Sequence, residues 1–195
     1  MTKILDRWTI LPRGTLQEID DRILTVDGDI PMPLGNFPRR MTVIGLSGGR
    51  TAIWSAIAQP EPEMARIEAL GMPAVLIVPN FHHRLDLKIW KQRYPDAKVV
   101  TPPAAREKVS EVAPVDATDA PAPLLNDAEV ELMTVPGTGE TEYAMIVRRR
   151  GGVTLLTNDI IGHVRHPHGL GAKVMSHLMR WGTSKPEIPC PGITT

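Results

Sequence analysis

Two adjacent histidines, His82 and His83, follow the apolar run Ala74–Val78 and the dipeptide Pro79-Asn80. Imidazole is both a metal ligand and a proton carrier near neutral pH. The end of a buried strand in an α/β fold is also where ligands bind. Asp86 lies just beyond the pair, and Asp159 follows a second apolar run, Val153–Thr157, with Asn158 between. Imidazole and carboxylate donors together suit a divalent cation. Each signal also has a plainer reading. A His pair at a helix start can bond backbone groups through one ring, and Asn158-Asp159 makes a good turn and cap pair.

Other chemistry-bearing residues point less sharply. His163, His166 and His168 form a second cluster, but Arg165 lies among them and Pro167 spoils helical spacing, which favours a solvated loop. His177 falls on a helical stretch among Met175, Leu178 and Met179. Ser47-Gly48-Gly49 lacks the Gly-x-Ser-x-Gly pattern of a nucleophile turn and reads as a hairpin. Gly137 and Gly139 are too few for a phosphate loop, and Arg148–Arg150 is too short a run to imply nucleic acid. Cys190 is the single cysteine and lies between Pro189 and Pro191, so neither an intramolecular disulfide nor a cysteine-rich zinc site is expected.

The elements that must position these residues follow from apolar patterning. Arg40–Ser47 and Arg50–Ala58 are apolar and β-branched runs across Gly48-Gly49, a hairpin in which either face could be buried. Glu61–Leu70 has Met64, Ile67 and Leu70 on one face, a proline in its first turn and Gly71 past its end, which predicts a short helix. Ala74–Val78 is continuous and apolar, as in a strand buried on both faces. A helix over Leu85–Tyr94 ends at Pro95, a short strand covers Lys98–Thr101, and a helix follows over Ala104–Val112. Ala113–Pro123 is breaker-rich and reads as a surface connection. Three strands, Ala128–Val135, Glu142–Arg149 and Val153–Thr157, then form a meander, before a helix over Leu170–Trp181 and a Pro-rich tail, 184–195. Residues 1–39 are expected to be irregular. The alternation in the middle argues for α/β layers.

Composition bounds the function class. The 195 residues suit a single domain spanning 1–195. Lys+Arg and Asp+Glu are both 22, so the balanced charge argues against a general nucleic-acid binder or a polybasic membrane surface. A small-molecule substrate or an anion is the expected partner. Met1–Gly14 has no apolar segment of a secretory signal, and a cytoplasmic location is expected.

Ala74–Trp90 (AVLIVPNFHHRLDLKIW) and Val153–Asp159 (VTLLTND) resemble the metallo-β-lactamase superfamily. The likeness is closer to an uncharacterised branch whose members carry a hairpin, a strand ending in Pro-Asn, a His-His pair, then Trp and Tyr-Pro. It runs from about Arg40 to Asp159. It implies a four-layer αβ/βα sandwich with one or two metals at the sheet ends, and hydrolysis of ester, amide, thioester or phosphoester bonds.

The superfamily signature His-x-His-x-Asp-His fits this chain in two registers. In one, Asp86 is the aspartate and His82 the first histidine, with Arg84 and Leu87 replacing the other two. In the other, Asn80 replaces the first histidine and His82 is the second. Thr138 stands where a Pro-Gly-His turn would supply imidazole, and Asp159 matches a bridging aspartate. The resemblance implies a final βα unit with a last histidine, which is expected to be incomplete at Thr195, as in a truncated chain or a shortened relative. The resemblance thus implies that His82 and Asp159 hold a metal, with Asp86 or His83 assisting and a metal-bound water as nucleophile.

Zinc, iron and manganese suit such donors alike. Arg84 opposes a cation, because like charges at 4 Å repel by about 4 kcal/mol at an effective dielectric of about 20. The metal is therefore expected to be weakly held or absent. Arg84, Thr138 and Asn80 are then expected to line a ligand pocket, with His82 and Asp159 at neighbouring strand ends. The alternative is a non-catalytic member of the fold that binds an anion through Arg84, or a protein partner.

Overall fold

The structure, a computed structural model, describes residues 4–31, 36–119 and 122–161. A six-stranded sheet contains β1 (Gln17–Asp20), β2 (Ile23–Ile30), β3 (Phe37–Leu46), β4 (Arg50–Trp54), β5 (Met72–Ile77) and β6 (Lys98–Val100), in that spatial order. The first four strands pair antiparallel, and β4, β5 and β6 pair parallel. Parallel neighbours need a crossover, and helices supply it here. The helix α1 (Glu61–Leu70) joins β4 to β5, and α2 (Leu87–Arg93) lies between β5 and β6. Gly71 ends α1 at φ 158°, where a Cβ would lie 2.8 Å from the Arg50 backbone carbonyl, so only glycine fits. A 3-10 turn at Pro103–Ala105 leads into α3 (Arg106–Ser110), and α4 (Ala122–Leu125) precedes the second sheet. That sheet is the expected meander of β7 (Val130–Thr134), β8 (Tyr143–Arg149) and β9 (Gly152–Leu156).

Strand alternation builds two cores from one sheet. Met41, Val43, Ile53, Leu76 and Val99 face the helices and pack with Met64, Ile67, Leu87, Trp90 and Val109. Ile44, Leu46, Ala52, Trp54, Val75 and Ile77 face the other way, onto Val130, Tyr143, Met145, Val147 and Leu156 of the three-stranded sheet. The two sheets therefore lie face to face with helices outside the larger one, as expected. This explains why β4 and β5 read as unbroken apolar runs, since both of their faces are buried.

The expectation of an irregular segment over 1–39 is corrected. Β1, β2 and the start of β3 lie there, and β2 pairs with β3 along its full length from Ile23↔Ile44 to Ile30↔Phe37. The turn before β2 uses Arg22 at φ 57°, a left-handed non-glycine residue that carries no turn signal in the sequence. Just past the breaker-rich connection, α4 carries Leu125 into the inter-sheet core. Arg149 of the short basic run Arg148–Arg150 buries its side chain and donates to the Gly45 carbonyl at 2.7 Å. The expected helix over Leu170–Trp181, the tail, Cys190, His163, His166, His168 and His177 lie outside the described residues. No helix among the described residues is long and apolar enough to cross a membrane.

Candidate functional site

Three strand ends meet at one edge of the sandwich. Ser55 follows β4 and donates its backbone N–H to the Ile77 carbonyl at 3.0 Å, which extends the β4–β5 ladder by one residue. Beyond β5 the chain runs through Pro79 to Asn80. The Tyr143 N–H donates to the Pro79 carbonyl at 3.0 Å, and its hydroxyl donates to the Thr101 carbonyl at 2.7 Å. These bonds dock the start of β8 on the end of β5 and carry Glu142 to Asn80. Asp159 arrives after β9.

Asn80 organises the site. Its Oδ1 accepts the His82 N–H at 2.8 Å, capping a 3-10 turn over Phe81–His83. This contact fixes which end of the carboxamide faces inward. The Nδ2 then donates both hydrogens, to Glu142 Oε1 at 2.7 Å and to Asp159 Oδ2 at 2.7 Å. A neutral amide thus joins two carboxyl groups that would otherwise repel. Asn80 is 1% exposed and Glu142 is 3% exposed. Burial, reinforced by the negative charge of Asp159 and opposed by the Asn80 bond, pushes the Glu142 carboxyl up to about 8. Its Oε2 has no hydrogen-bond partner among the described residues.

The imidazole nearest Asp159 is His83. Its Nε2 lies 3.6 Å from Asp159 Oδ1, and its Nδ1 lies 2.7 Å from Ser55 Oγ. A carboxylate only accepts, so the proton of the neutral ring belongs on Nε2, facing Asp159. The Nδ1 lone pair is then left for the Ser55 hydroxyl. Burial raises the Asp159 carboxyl, but His83, the Asn80 bond and His82 together outweigh it and hold the group below its usual value. The His82 ring stacks on Phe81 at 3.9 Å between centroids, and burial holds it below its ordinary range.

The residues singled out in the sequence divide between this cluster and other tasks. Asn80, His82, His83 and Asp159 come together. The Asn80-capped turn sets His83 against Asp159, while the His82 ring lies against Phe81. Asp86 does not join them: it is fully buried against Arg39 and accepts the Ala58 N–H at 2.9 Å. Burial raises its carboxyl more than these partners lower it. Arg84 is likewise elsewhere, donating to Glu111 at 2.9 Å and to the Lys108 carbonyl beside α3. Thr138 closes its own turn, with its hydroxyl on the Val135 carbonyl at 2.8 Å. The two residues missed are Ser55 and Glu142. Ser55 was hidden inside an apparently continuous strand, and Glu142 at the edge of one. A polar residue flanking a strand buried on both faces was the available signal.

A cleft of about 200 Å3 lies between the sheets. Its lining includes Thr25, Thr42, Trp54, Thr154 and Asn158, and none of Ser55, Asn80, His83, Glu142 and Asp159.

Known structures show the same arrangement of layers. A metallo-β-lactamase from Erythrobacter litoralis superposes with a TM-score of 0.52 at 12% identity, over 68% of this chain and 65% of that one. The metallo-β-lactamase FIM-1 from Pseudomonas aeruginosa, in its mono-zinc form, gives 0.57 at 12% identity, over 88% and 84%. TMB-1 gives 0.58 at 12% identity, over 92% and 93%. The chain adopts a metallo-β-lactamase-like fold. No protein-family model matches it, and no curated protein matches its sequence. At this identity the likeness speaks for the fold alone.

The sequence resemblance implies a metal at these strand ends. A catalytic zinc site uses three protein ligands and an open position. Among the described residues no group of three or more His, Cys, Asp and Glu side chains converges to hold an ion. The space between the two carboxyl groups is bridged by the Asn80 amide, whose N–H groups point at the oxygens a cation would need. His83 turns one nitrogen to Asp159 and the other to Ser55. These donors do not fit a three-ligand metal centre.

Proposed function

We propose that this chain is a hydrolase-like protein on the metallo-β-lactamase fold whose strand-end site works without a resident metal. The observation that carries this reading is the Asn80 carboxamide, which donates to Glu142 and Asp159 at 2.7 Å each. It supplies the bridging that a cation supplies elsewhere, at no cost in buried net charge. Metal-dependent hydrolysis, which the sequence resemblance implies, needs donors that this arrangement has committed to one another.

In this reading the working group is the His83 imidazole. Asp159 orients it from Nε2, and the Nδ1 lone pair is the base. Asn80 and Glu142 hold Asp159. The ligand in this reading is a small polar molecule, in keeping with the polar side chains of the cluster and the balanced charge of the chain. Recognition of an anion through Arg84 loses its support, because that guanidinium is taken up by Glu111.

Metal analysis of the full chain, purified without an affinity tag and dialysed, tests this directly. Zinc, iron and manganese should each stay well below one equivalent per chain. One equivalent of zinc that survives dialysis, and is lost in both His83→Ala and Asp159→Ala, would refute the proposal.

A further inference from the structure

The environment of Ser55 is unusual. It sits at φ 54°, a left-handed conformation that a non-glycine residue adopts only under constraint. It follows β4, 3% exposed, with its hydroxyl 2.7 Å from His83 Nδ1. The far nitrogen of the same ring faces Asp159 at 3.6 Å, and Asp159 is held in turn by Asn80 at 2.7 Å. A hydroxyl bonded to a base, the base oriented by a third group, and strain at the hydroxyl-bearing residue together form the signature of an activated nucleophile. The recognisable feature is the geometry of roles, since chain order differs freely between unrelated folds. The 3.6 Å contact is longer than a hydrogen bond, but such contacts are often long before substrate binds.

We infer that Ser55 is a nucleophile for acyl transfer, with His83 as its general base and Asp159 as the group that orients His83, acting on carboxylic esters with a short acyl chain. This deepens the metal-independent reading above and rests on it. Ser55 Oγ attacks the ester carbonyl carbon while its proton passes to His83 Nδ1. The tetrahedral adduct collapses, the C–O bond to the alcohol breaks, and the alcohol leaves with that proton. Water then attacks the acyl-serine, giving its proton to His83. Release of the carboxylic acid returns the proton to Ser55. No electrons are transferred and no co-reactant other than water is consumed. Substrate size follows from burial: Ser55 is 3% exposed, with the His83 imidazole packed on its hydroxyl. A hydroxyl this deeply buried takes an acetyl group more readily than a long acyl chain.

The test uses the full, untagged chain in a chelating buffer with para-nitrophenyl acetate and with a fluorophosphonate probe, followed by peptide mapping. The probe should add once, on Ser55, and should stop acetate-ester turnover. Ser55→Ala should abolish both, and His83→Gln should slow turnover by about 100-fold or more. Mapping on the wild-type chain keeps the test valid even where a variant fails to fold. An unmodified Ser55 in the folded wild type, or equal turnover by wild type and a folded Ser55→Ala, would overturn the inference. Metal content measured on the same preparation before the chelator is added separates the two readings: a metal-free but unlabelled protein removes only the nucleophile, whereas stoichiometric zinc removes the metal-independent site beneath it.

Discussion

Glu142→Gln should remove a specific slope from the pH dependence of folding. Glu142 is nearly fully buried, and its carboxyl is raised from 4.5 to about 8 by burial, with Asp159 adding to the shift. Below pH 4.5 the group is protonated both folded and unfolded, so it contributes no slope. Between 4.5 and about 8 the unfolded chain releases the proton and the folded chain keeps it, so stability falls as pH rises. Above about 8 both states are ionised and the loss levels off. From pH 4.5 to 7 the loss is about 3 kcal/mol, at roughly 1.4 kcal/mol for each pH unit. Gln at this position keeps the shape and the acceptor for Asn80 but has no proton to release. Two neighbours also titrate, and their signs differ. The lowered Asp159 contributes stability that is lost only in acid, below the ordinary carboxylate value of 3.8, outside this window. The lowered His82 makes stability fall as pH drops below 6.5, which partly masks the Glu142 slope in the wild type. The informative quantity is therefore the difference between wild type and variant. Urea unfolding at half-unit steps from pH 4.5 to 7 should show the variant gaining about 3 kcal/mol on the wild type across the range. Parallel curves would show that Glu142 ionises normally and that the buried cluster has been misread.

Two further substitutions probe the elements around the site. Asp86→Ala strands the Arg39 guanidinium and the Ala58 N–H in the core. Denaturant unfolding should show a loss of about 3–5 kcal/mol, with the metal content of the chain unchanged; a loss below about 1 kcal/mol would mean that the pair is solvated. Asn80→Leu removes the turn cap and both bridges to Glu142 and Asp159. It should cost about 2–4 kcal/mol in the same assay, and an unchanged midpoint would show that the amide does not join the carboxyl groups.

The hairpin, α1, the doubly buried strand, α2 and the closing meander were all legible in the sequence. Each is a local property: apolar runs of strand length, a Gly pair at a turn, a proline at a helix start and a glycine at its end. Strand β2 was not legible, because its pairing with β3 depends on a left-handed Arg22 that no residue type announces. The site divides the same way. Asn80, His82, His83 and Asp159 stand beside buried strands and could be selected from their chemistry and position alone. Which imidazole meets which carboxylate could not, because the Asn80-capped turn decides it through a rotation of the backbone. Asp86 and Arg84 had suitable chemistry as well, but burial beside Arg39 and an ion pair with Glu111 commit them to the scaffold. Ser55 and Glu142 reach the cluster only because β4 extends one residue along β5 and β8 docks on Pro79. These hydrogen bonds join segments far apart in the chain, so pairing between strands, and not local spacing, brings the serine and the buried carboxyl to the site.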